Sequence, residues 1–130
     1  MDNFSINSST SNEEFIFSGR DGEFFNFEVV SENLKATRKV STYTDDLGIA
    51  NLFNKVSGYT TAWEGSESWE SLEGEFLITL TCNSTGHVKI QVKLNQRNKG
   101  SEDWHLTVHL NTEIGRLPQF ANEVRRFFNA

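Results

Sequence analysis

Residues 72–111 read LEGEFLITLTCNSTGHVKIQVKLNQRNKGSEDWHLTVHLN, and the alternation inside this stretch decides the fold. Phe76, Ile78, Leu80 and Cys82 fall at every second position. So do Val88, Ile90, Val92 and Leu94, and then Trp104, Leu106, Val108 and Leu110. A period of two puts each set on one face of a strand. Asn83-Ser84-Thr85-Gly86 and Asn98-Lys99-Gly100-Ser101 supply turn residues between the sets. Antiparallel pairing with Cys82 opposite Val88 requires Leu80–Ile90, Ile78–Val92 and Phe76–Leu94. Across the second turn, Leu94 opposite Trp104 requires Val92–Leu106, Ile90–Val108 and Val88–Leu110. A slip of one residue would turn an apolar set towards water. The stretch reads as an antiparallel meander with one buried and one wet face.

Upstream, Glu13–Phe17 carries Phe15 and Phe17, and Glu23–Val30 carries Phe25, Phe27 and Val29, again at period two. Ser18–Gly22 reads as the turn between them, which pairs Phe17 with Phe25 and Phe15 with Phe27. A third strand is expected over about Leu34 to Tyr43. Thr44-Asp45-Asp46 offers cap candidates and an acidic first turn for a helix carrying Ile49, Leu52, Phe53 and Val56, with Gly58 as its stop. Gly48 weakens that helix slightly. Leu117, Phe120, Ala121, Val124, Phe127 and Phe128 define a second helix, with Pro118 in its first turn and Arg125 and Arg126 near its end. The expected fold is α+β: a mainly antiparallel sheet, order β-β-β-α-β-β-β-α, with the helices packed on one face. Residues 1–12, polar and rich in Ser and Asn, are expected as a flexible N-terminal tail, and residues 13–130 as a single α+β domain.

Composition narrows the function. A chain of 130 residues buries roughly two thirds of its unfolded surface and folds without a disulfide or metal. Eighteen acidic side chains against twelve basic ones leave a net charge of -6. That disfavours nucleic acid, whose binding rests on neutralising phosphates with Lys and Arg. The sole cysteine, Cys82, excludes an intramolecular disulfide and fits a reducing compartment. There is no secretory-signal pattern and no membrane-length apolar run, so a cytoplasmic location is expected.

Nothing in the residues marks catalysis, and no cofactor is expected. His105 and His109 stand four residues apart on one strand, roughly 13 Å, too far for one metal ion. The expected register puts them beside Lys93 and Lys89 and puts His87 opposite Asn111. Lys89, Lys93, His105 and His109 form a mildly basic sheet face and a second candidate partner surface. Glu64, Glu67, Glu70, Glu73 and Glu75 read as an acidic, solvated loop, because nothing predicts the divergent pKa values that paired catalytic carboxylates need. Cys82 alternates with core residues and reads as a buried apolar group. The segment 58–71, GYTTAWEGSESWES, has no strand or helix period, and loops of that length are often functional. Trp63 and Trp69 amid Glu64, Glu67 and Glu70 make the first candidate surface, an aromatic anchor with an acidic rim. The alternative is that both Trp fold back onto the core.

Trp63-Glu64-Gly65, Trp69–Glu75, Gly86-His87-Val88, Trp104 and Glu113–Leu117 together resemble an uncharacterised family of small bacterial proteins with W-x-G, W-x-S-L-E-G-E, G-H-V and E-x-G-x-L in this order. Such proteins are similar to immunity proteins of polymorphic toxin systems, including contact-dependent growth inhibition. The resemblance implies a cytoplasmic, non-enzymatic protein that binds and neutralises a cognate toxin domain. A basic nuclease is one partner that the charge fits. The resemblance carries over no binding residues. A regulatory or assembly module, as a homodimer for instance, and a carrier of a small apolar ligand stand as alternatives.

Overall fold

The computed structural model describes residues 3–96 and 102–129. Among them the chain forms β1 (Asn3–Asn7), β2 (Glu14–Asp21), β3 (Phe24–Val30), β4 (Lys35–Ser41) and helix α1 (Gly48–Ser57). Then come β5 (Glu67–Glu70), β6 (Phe76–Cys82), β7 (His87–Gln96), β8 (Trp104–Glu113), a 3-10 turn (Ile114–Arg116) and helix α2 (Leu117–Phe128). The α+β class and the antiparallel pairing are as expected, but each half has four strands, not three. They form two sheets, β1-β2-β3-β4 and β5-β6-β7-β8, instead of one.

Two sheets arise because both halves carry one apolar row per strand, and the rows can cover each other. Phe76 of β6 lies 5.0 Å from the ring of Phe27, 5.9 Å from Phe25 and 6.5 Å from Phe17. Phe127 of α2 reaches Phe4, Phe17 and Phe25 in edge-on contacts. Such tilted geometries suit the aromatic quadrupole. The helices pack on each other, α1 also on β5 and α2 also on β1. All six apolar residues expected for α2, and Ile49, Leu52, Phe53 and Val56 of α1, are buried.

The expected flexible tail is partly a strand. Phe4 and Ile6 of β1 are buried, and Phe4 stacks on Phe17 at 4.4 Å. Burying two such groups contributes about 1.5–3 kcal/mol each, enough to order a short polar segment. The first hairpin is tighter than expected. Asp21 pairs with Phe24 across a two-residue loop, and Gly19 (φ 62°) takes up an irregularity between Ser18 and Asp21. Phe17 therefore faces Phe27 and Phe15 faces Val29. The register shift is by two residues, so the buried face is kept.

The β6–β7 register is the expected one, from Cys82–Val88 to Phe76–Leu94. The β7–β8 register is displaced by two: Leu94 faces Leu106, Val92 faces Val108, and Trp104 faces Gln96. The expected turn Asn98–Ser101 lies outside the described residues. β5 was not legible at all, because its four residues show no apolar alternation.

Candidate functional site

The structure separates the aromatic and acidic parts of the first candidate surface. Trp69 is buried, so it is no exposed anchor. Its indole Nε1 donates to Asp45 Oδ2 at 3.0 Å. Asp45 is thus held by a strand of the other half, and α1 begins after Leu47 with no side-chain cap. The expected cap role of Thr44-Asp45-Asp46 is absent for that reason: Asp46 Oδ1 accepts instead from Thr42 Oγ1 at 3.0 Å. Trp63 is half-buried and stacks on Tyr59 at 4.9 Å, with its indole N–H buried and without a partner among the described residues.

Glu67 turns towards α1. Its Oε2 lies 2.7 Å from Lys55 Nζ and accepts from the Tyr59 hydroxyl at 3.5 Å. The hydrogen bond to Glu67 raises the Lys55 pKa above the ordinary lysine value. This pair spans a polar groove of about 490 Å3 between α1 and β5. Glu64 and Glu70 remain exposed. Glu75 is not part of a solvated loop: it is buried, its Oε2 accepts from the Ser41 N–H at 3.0 Å and its Oε1 from the Ser71 hydroxyl. It ties β4 to the start of β6. Replacing Glu75 by alanine strands those donors, and a loss of about 1–3 kcal/mol is expected in urea unfolding. A cost below half a kcal/mol would mean that the carboxylate is not the tie.

On the second candidate surface, Lys89, Lys93, His105 and His109 are all exposed on one face of the β5–β8 sheet. The shifted register sets His105 opposite Asn95 and His109 opposite Gln91, not beside the lysines. His87 sits opposite Glu113, not Asn111, with Nδ1 2.7 Å from Oε1. No group of three or more His, Cys, Asp or Glu side chains among the described residues is arranged to hold a metal ion. No helix among them is long and apolar enough to cross a membrane.

Cys82 is buried, as its alternation implied, and desolvation pushes its pKa above the ordinary thiol value. The folded chain therefore holds this proton where the unfolded chain has begun to release it. The contribution to stability is full below the ordinary thiol range and declines as pH rises through it. Urea midpoints should fall over that range by more in the wild type than in Cys82→Ala. Parallel curves would refute the assignment.

Sequence reasoning missed one cluster of exposed apolar groups. Leu72 is 64% exposed, Tyr43 53% and Phe24 40%. They line one concavity of about 270 Å3 with Glu23 and Glu73 at its rim and the Ser41–Glu75 bond beneath. Three elements converge there: the start of β3, the chain just past β4 and the turn before β6. Tyr43 precedes Thr44, whose φ of 70° is unusual for a β-branched residue. Lys39 Nζ stands 4.5 Å over the Phe24 ring. One signal was available: Phe24 is out of phase with Phe25 and Phe27, so it had to face away from the core. Exposed apolar groups gathered in one place and rimmed by charge are the usual mark of a protein contact surface.

No curated protein matches the chain significantly. Residues 7–130 match the model of a family described as a family of unknown function (DUF6228), and with nearly its whole length matched the chain belongs to that family.

Proposed function

We propose that the chain is an immunity protein that binds and neutralises a cognate bacterial toxin domain in the cytoplasm. The observation that carries the reading is the Phe24–Tyr43–Leu72 concavity rimmed by Glu23 and Glu73. It combines an apolar anchor with an acidic rim, on residues other than Trp63, Glu64, Glu67, Trp69 and Glu70. Apolar anchors in such a patch give affinity, and the surrounding acids speed encounter with a basic partner. The net charge of -6 acts in the same sense. The motif resemblance supplies the toxin. Inhibition then comes from occupying the toxin's surface, without chemistry by this chain.

The test is a growth assay with the C-terminal region of the protein encoded immediately upstream, induced with and without this chain. Arrest that only this chain relieves supports the reading, and no toxicity, or toxicity it cannot relieve, overturns it. Tyr43→Ala with Leu72→Ala is expected to weaken toxin binding at least tenfold with an unchanged melting temperature, because both side chains are mostly exposed. Glu23→Lys with Glu73→Lys, at the rim of the concavity, is expected to act mainly on the association rate.

A further inference from the structure

The two sheets present four edges among the described residues, and three of them are guarded. β1 is flanked by α2. β5 is only four residues long and α1 packs against it. β4 carries Lys35 and Lys39, and the Ser41 N–H at its end is taken by Glu75. Helical cover, short length and edge lysines are the usual defences against strand addition. β8 has none of them. It runs ten residues, WHLTVHLNTE, with no proline or lysine, and its pairing with β7 shows no bulge.

The backbone phase fixes which groups of β8 point outward. Ile114 N–H donates to the Gly86 carbonyl at 3.0 Å, so even-numbered residues bond to β7 and odd-numbered ones face out. Asn111 agrees. Its carbonyl accepts from the Ser9 N–H at 2.8 Å and its N–H donates to Ser8 Oγ at 3.2 Å. Residues 8–9 thus already occupy the first rung of an added strand. The next outward-facing residues, His109, Thr107 and His105, have no backbone partner on that side among the described residues.

We propose that the free edge of β8, from His105 to His109, receives an extended segment of a partner protein as a ninth strand, and that this segment alternates apolar and acidic residues. One face of an added strand continues the row Trp104, Leu106 and Val108, which is only half-buried. Residues laid over that row are apolar. The other face joins His105, Thr107 and His109, with Lys89 and Lys93 one strand further in. The added strand lies two strand spacings, about 9.6 Å, from β7, a gap that a lysine and an acidic side chain close by reaching towards each other. Residues on that face are acidic. The nearby carboxylate, Glu113, is already paired with His87. A second copy of this chain is the poorer occupant, since antiparallel β8 strands would bring histidine and lysine rows together on one face. The proposal holds whether or not the partner is a toxin.

The test pans a phage library of random nine-residue peptides against the full chain. Expected are enriched peptides that alternate acidic and apolar residues. By fluorescence anisotropy they should bind Thr107→Pro at least tenfold more weakly, because proline removes an outward N–H that is otherwise free. Should Thr107→Pro unfold, the exposed pair Lys93→Glu with His105→Glu decides: the same peptides should again lose at least tenfold. Enriched peptides without alternation, affinities unchanged in the folded variants, or no enrichment at all would overturn the proposal. So would a wild-type dimer in sedimentation that Thr107→Pro dissociates.

Discussion

Replacing Phe76 by alanine is expected to cost about 3–5 kcal/mol of folding stability, a large share of the 5–15 kcal/mol that typically holds a domain together. Phe76 is fully buried where the two apolar rows meet, and its ring touches Phe17, Phe25, Phe27 and Trp69. Its neighbours belong to β2, β3 and β5, so no single element can move in to fill the space. The loss combines transfer of the ring with a cavity that rigid neighbours cannot close. Urea unfolding at constant slope would measure it. A loss under about 1.5 kcal/mol would show that the sheets collapse together and that the ring is not their common contact.

Gly48→Ala is expected to destabilise by about 2–4 kcal/mol, against the usual rule that alanine improves a helix. Gly48 is buried in the first turn of α1. A methyl group there would fall well inside contact distance of Trp69 Nε1 and Cδ1, and would also crowd Asp45 Oδ2. Asp45 can swing away, but the Trp69 ring is wedged against Phe76. The ring must shift, and the charge-assisted bond to Asp45 is lost with it. Trp69→Phe in the Gly48→Ala background removes the indole N–H that the methyl meets. It should recover part of the loss, and a purely additive double mutant would rule the clash out. In the sequence this glycine reads only as a weak point of the helix. Its reason lies at Trp69, in a strand of the other half of the chain.

The same distinction separates what was legible from what was not. The β6–β7 register could be read because Asn83–Gly86 is short and fixes the pairing of two long alternating runs. The β7–β8 register slipped by two because periodicity specifies a face and leaves the loop length free. β1 escaped notice because two apolar residues in a polar stretch resemble noise until a sheet exists to receive them. Of the acidic half of the candidate surface, Glu64 and Glu70 are exposed as charge alone predicts, whereas Glu67 turns inward to Lys55. The aromatic half was inverted. Trp69 had a buried place and a hydrogen-bond partner waiting in the other half, whereas Phe24, Tyr43 and Leu72 come together only through folding.

The bonds between Ser8, Ser9 and Asn111 also set an order of events in folding. They join positions 102 and 103 residues apart. A contact that closes so long a loop bears the full entropy of closure, and it forms late unless much else is already in place. The β6–β7 hairpin, closed by four residues, should form early, and the docking of residues 8–9 should follow the arrival of β8. Pulse-labelled hydrogen exchange during refolding would then protect the Thr79 and Gln91 amides, which bond across the hairpin, ahead of Ser9. A nascent chain would meet the same delay, since residues 8–9 leave the ribosome early but must wait for Asn111, about a hundred residues later, before they can settle.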